Sequence, residues 1–235
     1  MNIIKKIENI QMWENIQKLI FPPVCGICGK LNENYLCGKC ELKLQRESQA
    51  QVDDYVTMSG FQRKYFNEHI YFFKYQGIIR EQIINYKFHE ESYKYKMISN
   101  FILKNCILKD AKLFQILKDY DVVIPVPISN KRLKERGYNQ AELIAKQIAK
   151  LLEKKIITDC LYKSKNIVAQ STLNKQEREE NIKDVYTIKK QMKLLNKKIL
   201  LIDDIYTTGS TANECCKVLS AANPSKIGVL TIAKD

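Results

Sequence analysis

Ile199 to Thr211 reads ILLIDDIYTTGST, and the fold turns on this stretch. Four consecutive apolar residues, Ile199 to Ile202, fit a strand buried on both faces, as in a parallel sheet. Asp203 and Asp204 close it at its C-terminal end, the edge where open α/β sheets bind their ligands. Thr207, Thr208, Gly209, Ser210 and Thr211 then supply hydroxyls and a flexible turn, and a helix is expected from about Ala212. Free amides and hydroxyls at a helix start attract an anion. Gly209 lets the backbone turn tightly and come close to a phosphate. Adjacent carboxylates repel a bare phosphate but accept hydrogen bonds from a vicinal diol. Together the two halves suit a sugar phosphate with free hydroxyls. A helix cap and ordinary salt bridges would explain either half alone.

The flanking sequence extends the pattern. Asp121–Val126 (DVVIPV) is another short apolar run, ended by Pro127, Ser129 and Asn130. Asn139 to Leu152 places Leu143, Ile144, Ile148, Leu151 and Leu152 on one helical face. Strand-like runs recur at Ile156–Leu161, Val185–Ile188 and Ile227–Ile232. Further upstream, His69–Lys74 has strand composition, while Gly77–Phe88 and Met97–Leu117 have helical spacing. Glu41–Asp54 reads as a charged linker or helix. Strands alternating with helices predict an α/β fold with a mostly parallel sheet.

Cys25, Cys28, Cys37 and Cys40 form two C-x2-C knuckles separated by eight residues. Four thiolates satisfy tetrahedral Zn²⁺ and leave no open position, so the expected site is structural. A redox pair and two disulfides are the competing readings. The absence of a visible export signal argues against disulfides. Cys106, Cys160, Cys215 and Cys216 lack mutual spacing and are expected to be buried, inert thiols.

Composition removes much other chemistry. The chain has 235 residues, 45% hydrophobic and 28% charged, ordinary globular usage. No two of its eight glycines stand two, four or five positions apart, which removes the G-x-G-x-x-G turn, the Walker loop and the G-x-S-x-G elbow. His69 and His89 are the only histidines and cannot form H-E-x-x-H. The net charge of +13 attracts polyanions, although a solvated lysine-rich surface carries the same number. Its longest one-sided stretch is Thr187–Lys198, with five lysines and no acid. Residues 1–20 have helical apolar spacing broken by charges, which predicts an amphipathic helix rather than an export signal. No run of apolar residues is long enough for a transmembrane helix.

ILLIDDIYTTGST resembles the signature of type I phosphoribosyltransferases, which bind 5-phosphoribosyl-1-pyrophosphate (PRPP). More narrowly, the chain resembles the ComF family of competence proteins. PVCGICG with CGKC, IPVPISNKRLKERGYNQAELIA, QSTLNKQEREENIKDVY and the PRPP string occur in that family's order. The resemblance implies a type I phosphoribosyltransferase-like core of about five parallel strands with flanking helices, and a small hood. The expected organisation is a helix over 1–20, a zinc module over 21–50 and a phosphoribosyltransferase-like domain over 55–235. Within that domain the hood would take about 55–117 and the core about 121–235.

The same resemblance implies that Asp203 and Asp204 hold the ribose hydroxyls and that Thr207–Thr211 cradle the 5-phosphate. Pyrophosphate would meet the turn Pro127–Asn130, with Lys131, Arg132 and Arg136 nearby. Lys163–Asn181 would form the flap, where Gln170, Leu173, Arg178 and Asn181 match the family. Lys163 and Lys165 stand where relatives often have Arg, and Ile167 where Thr is frequent, which keeps the charge but loses a bidentate grip. Mg²⁺ would accompany PRPP. The implied function is PRPP binding in DNA uptake for natural transformation, as a transferase of unnamed acceptor. The alternative is a basic single-stranded-DNA-binding competence factor whose phosphate loop is not catalytic. Implied partners are single-stranded DNA, a competence helicase or other DNA-uptake proteins, and a second copy in a homodimer. The expected location is cytoplasmic, at the inner face of the membrane.

Overall fold

A computed structural model describes residues 24–32, 35–55, 64–88, 94–164, 182 and 184–235. The chain forms two compact units, Met1–Arg46 and Glu47–Asp235. The helix expected over 1–20 lies outside the described residues.

In the first unit, Val24 and Leu31 bridge across the first knuckle. Gly29 closes its turn at φ 70° and donates its amide to the Cys25 carbonyl at 2.8 Å. Helix α1, Gly38–Glu47, starts at the second knuckle and carries Cys40 in its first turn.

The second unit is built on a six-stranded sheet. Its strands are β1 (Ser48–Asp54), β2 (Glu68–Lys74), β3 (Val122–Pro125), β4 (Lys155–Ile156), β7 (Lys198–Tyr206) and β8 (Lys226–Lys234). The spatial order is β1-β2-β8-β7-β3-β4. Only β1 runs antiparallel to its neighbour; β2, β8, β7, β3 and β4 are mutually parallel. Leu200, Leu201 and Ile202 in β7 and Val229, Leu230 and Ile232 in β8 are fully buried, as strands covered on both faces must be.

Helices fill the crossovers: α2 (Gly77–Phe88), α3 (Lys94–Phe101), α4 (Ala111–Lys118), α5 (Asn130–Arg136), α6 (Gln140–Leu152) and α7 (Ser210–Ser220). Ser129 caps α5 by accepting the Arg132 amide at 3.3 Å, and Gly137 ends it in the left-handed region at φ 74°. Asn139 accepts the Ala141 amide at 3.1 Å and donates to the Val126 carbonyl at 3.0 Å. That one side chain ties the start of α6 to the end of β3. A separate antiparallel pair, β5 (Leu161–Lys163) and β6 (Tyr186–Ile188), packs Leu161 and Tyr186 into the core.

Several expectations need correction. Glu41–Asp54 is neither linker nor helix throughout: its second half is strand β1, paired to β2. Residues expected in the hood contribute β2 to the main sheet, because its buried run HIYFF can only be satisfied between two neighbours. Met97–Leu117 is not one helix. It passes into a π-helical turn at Ile102–Ile107, and Asp110 caps a new helix by accepting the Leu113 amide at 2.9 Å. The run Ile156–Leu161 is split between β4 and β5, and Val185–Ile188 joins the separate antiparallel pair, not the parallel sheet.

Candidate functional site at the carboxyl edge of the sheet

The chain leaves β3 for β4 on one side and returns to β7 on the other. The carboxyl ends of β3 and β7 therefore flank the topological switch point, where the sheet opens a crevice. The turn Pro127–Asn130 lies above the first and the acid pair belongs to the second. β7 is longer than expected: Asp203 and Asp204 sit inside it, and it continues to Tyr206. Asp203 pairs in register with Thr231, and its carboxylate accepts the Asp204 amide at 2.9 Å. Asp204 is buried, whereas Asp203 is partly exposed.

The turn after β7 is compact. Thr208 and Ser210 hydroxyls lie 2.7 Å apart, and the Ser210 amide donates to Thr208 Oγ1 at 3.3 Å. Gly209 has φ +77°, and a Cβ there would stand 2.2 Å from the Tyr206 hydroxyl oxygen, so the conformation and the space both require glycine. Helix α7 begins at Ser210, two residues earlier than expected, and the Asn213 amide donates to the Gly209 carbonyl at 2.8 Å.

Basic residues gather opposite the acids. Arg132 and Arg136, one helical turn apart on α5, are half-buried, while Lys131 is exposed. Burial and the Arg132 charge pull the Arg136 guanidinium below its ordinary pKa, and Asp204 pulls it back up. Lys163, at the end of β5, is likewise lowered by burial and by Arg132, against the raising field of Asp203. Its amine lies 5.6 Å from the Tyr186 ring centre. Asp203, Asp204, Arg132, Arg136 and Lys163 thus share one electrostatic neighbourhood. Lys165 and Arg178, with the rest of the expected flap, lie outside the described residues. A cavity of about 370 Å³ is lined by Pro127, Asn130, Leu133, Tyr162, Lys163 and Thr187 among others.

The metal candidates stand in the first unit. The sulfurs of Cys25, Cys28, Cys37 and Cys40 lie within 4.8 Å of one another. Cys28 and Cys37 Sγ are 3.8 Å apart. A Zn–S bond of about 2.3 Å in a tetrahedron puts sulfurs about 3.8 Å apart, so the donor set fits zinc. Burial raises the Cys25 thiol, yet the amides of Cys28, Cys37 and Ile27 outweigh it and bring the pKa down to about 6. The remaining four cysteines are buried and form no such cluster among the described residues.

One set of residues carried no sequence signal: Phe66, His69, Tyr71 and Tyr206 pack ring on ring, and Tyr206 lies against Gly209. They come from β2 and its approach and from the end of β7, and only the sheet order makes them neighbours.

Comparison with known proteins gives a broad likeness first. The family described as phosphoribosyl transferase domain matches residues 136–235. Narrower likenesses follow. Competence protein F of Haemophilus influenzae is 31% identical over 128 residues, covering 54% of this chain and 56% of that protein. Competence protein ComFC of Bacillus subtilis is 23% identical over 220 residues, covering 86% of this chain and 73% of that protein. DNA utilization protein YhgH of Escherichia coli strain K12 is 24% identical over 99 residues, covering 42% of this chain and 43% of that protein. The chain spans about half the length of Competence protein F. These matches, the mostly parallel sheet and the four-cysteine cluster support a ComF-family, phosphoribosyltransferase-like protein. No helix among the described residues is long and apolar enough to cross a membrane.

Proposed function

We propose that this chain binds PRPP with Mg²⁺ and acts in competence, in the uptake of DNA for transformation. The observation that carries the reading is the meeting of three groups at the switch point: the acid pair of β7, the hydroxyl-lined turn into α7, and Arg132, Arg136 and Lys163. The names of the relatives support the cellular role.

In this reading Asp203 and Asp204 accept hydrogen bonds from the ribose hydroxyls. Thr207, Thr208, Gly209, Ser210 and Thr211 enclose the 5-phosphate at the start of α7. Arg132, Arg136 and Lys163 face the pyrophosphate. Hard carboxylate and phosphate oxygens suit Mg²⁺, which supplies neutralising charge when bound. As a transferase, the protein would break the bond from the anomeric carbon to pyrophosphate, the electron pair leaving with pyrophosphate. The acceptor's nucleophile forms the new bond. Positive charge grows on the sugar during departure, and the acid pair favours it, so catalysis is positioning and electrostatics. The single-stranded-DNA reading draws on the +13 charge, the cysteine module and the family resemblance.

Calorimetric titration of PRPP with Mg²⁺ tests the proposal. The native chain is expected to bind, and Asp203→Asn combined with Asp204→Asn to weaken binding by at least about tenfold, the scale of a lost charge-assisted hydrogen bond. Equal heats for the two proteins would reject the sugar site.

A further inference from the structure

His69 is a buried polar group that the reading above leaves without a role. It has no exposed surface. Its ring stacks on Tyr206 at a centroid distance of 4.2 Å and an interplanar angle of 26°, and on Tyr71 at 5.2 Å and 27°. Nε2 lies 2.9 Å from the Thr231 hydroxyl. That hydroxyl has one proton, and it goes to the Ala233 carbonyl at 3.2 Å. Thr231 must therefore accept from His69, and Nε2 carries the imidazole proton. Nδ1 keeps a lone pair with no hydrogen-bond partner among the described residues. Burial pulls the ring's pKa down to about 3, so it stays neutral.

The surroundings of this ring lead to the site from two directions. Thr231 is the register partner of Tyr71 on one side and of Asp203 on the other. Tyr206 also meets Phe66 nearly at right angles, the ring centres 6.4 Å apart at 82°. Its hydroxyl end lies against Gly209, in the space a Cβ would need. Gly209 in turn precedes Ser210, whose amide is held by Thr208. A tilt of the Tyr206 ring must therefore move the turn that would take the phosphate. Leaving one buried acceptor unpaired is costly, and a plain phenyl ring would avoid that cost. What the imidazole adds is the Nε2–H bond that fixes its plane.

We propose that His69 is a positioning residue for the anion-binding turn: oriented by Thr231, its ring holds Tyr206 against Gly209 and sets the shape of residues 208–210. The choice of ligand in the test rests on the PRPP reading; the geometry does not.

Two measurements separate the claims. In the ligand-free protein, the Gly209 α-protons feel the Tyr206 ring current in an NMR spectrum. His69→Leu keeps bulk but loses the flat face and the N–H, and it is expected to shift the Gly209 and Ser210 signals. His69→Phe restores the stack and is expected to bring them most of the way back. In a PRPP–Mg²⁺ titration, His69→Leu should bind about two- to tenfold more weakly, the range of one aromatic stack, with partial recovery in His69→Phe. A merely structural His69 would lower the melting temperature of His69→Leu while leaving those signals and the affinity unmoved, and that result overturns the proposal. If the native chain takes up no PRPP, the PRPP reading fails, and the Gly209 signals alone decide the role of His69. Should His69→Leu not fold, Thr231→Val keeps the shape and removes the orienting hydroxyl. Unmoved Gly209 signals in that variant would overturn the proposal equally.

Discussion

His69 also makes an acid-sensitive contribution to stability. Its folded pKa is about 3 against an ordinary 6.5, chiefly from burial; Asp53 on β1 pulls it up, while Lys234 on β8 and Lys64 ahead of β2 push it down. Below 6.5 the unfolded chain takes up a proton that the folded chain refuses. The stabilisation is therefore complete above that pH and is lost as pH falls towards about 3, with a slope of up to about 1.4 kcal/mol per pH unit. Between about pH 6 and about pH 4, the native melting temperature should fall more steeply than that of His69→Phe. Parallel curves would show that His69 titrates alike in both states. At this scale the acid pair and the hydroxyl turn were readable from their order in the chain. The choice of Arg132 and Arg136 over Lys131 was not, because it depends on where Ser129 sets the phase of α5.

Among the elements, β8 shows how close the packing is. Gly228 pairs with Glu68 of β2 and Leu200 of β7. Tyr120, fully buried just before β3, passes over it and donates its hydroxyl to the Glu68 carboxylate at 2.5 Å. Lys226 completes the group, 3.1 Å from that carboxylate and 5.0 Å from the Tyr120 ring centre. A Cβ on Gly228 would stand 1.9 Å from the Tyr120 oxygen. Gly228→Ala must push the phenol off its acceptor, and overpacking of this kind costs about 1–3 kcal/mol. Urea unfolding measures it; an unchanged midpoint would mean that Tyr120 moves aside freely. The split of Met97–Leu117 belongs here too. Apolar spacing continues through the break, and Asp110 is the local signal that a new helix starts.

Taken whole, the molecule redistributes its charge and, we expect, depends on a metal. Lys190 and Lys193 both pair with Asp159, and Lys198 meets Asp119 at 2.6 Å. The one-sided basic run of the sequence is thus partly balanced by acids brought in from elsewhere in the chain. The cysteine cluster predicts one zinc per molecule, lost to a strong chelator together with the circular-dichroism signal of the knuckles and α1, since ligand thiolates without metal repel rather than hold the turns. Elemental analysis checks the stoichiometry. Full zinc content in a Cys25→Ser, Cys40→Ser variant would place the metal elsewhere.

Local sequence determined the apolar strands, their helical partners, the cysteine knuckles and the Asp203–Thr211 string, because burial period, turn chemistry and ligand spacing are short-range properties. Strand order, the recruitment of β1 and β2 into the main sheet, the convergence of Arg132, Arg136 and Lys163 on the acids, and the stack of His69 on Tyr206 were decided only by the tertiary structure. Each joins residues far apart in the chain, and such pairings follow from which buried faces can be covered together, a condition that no single segment contains.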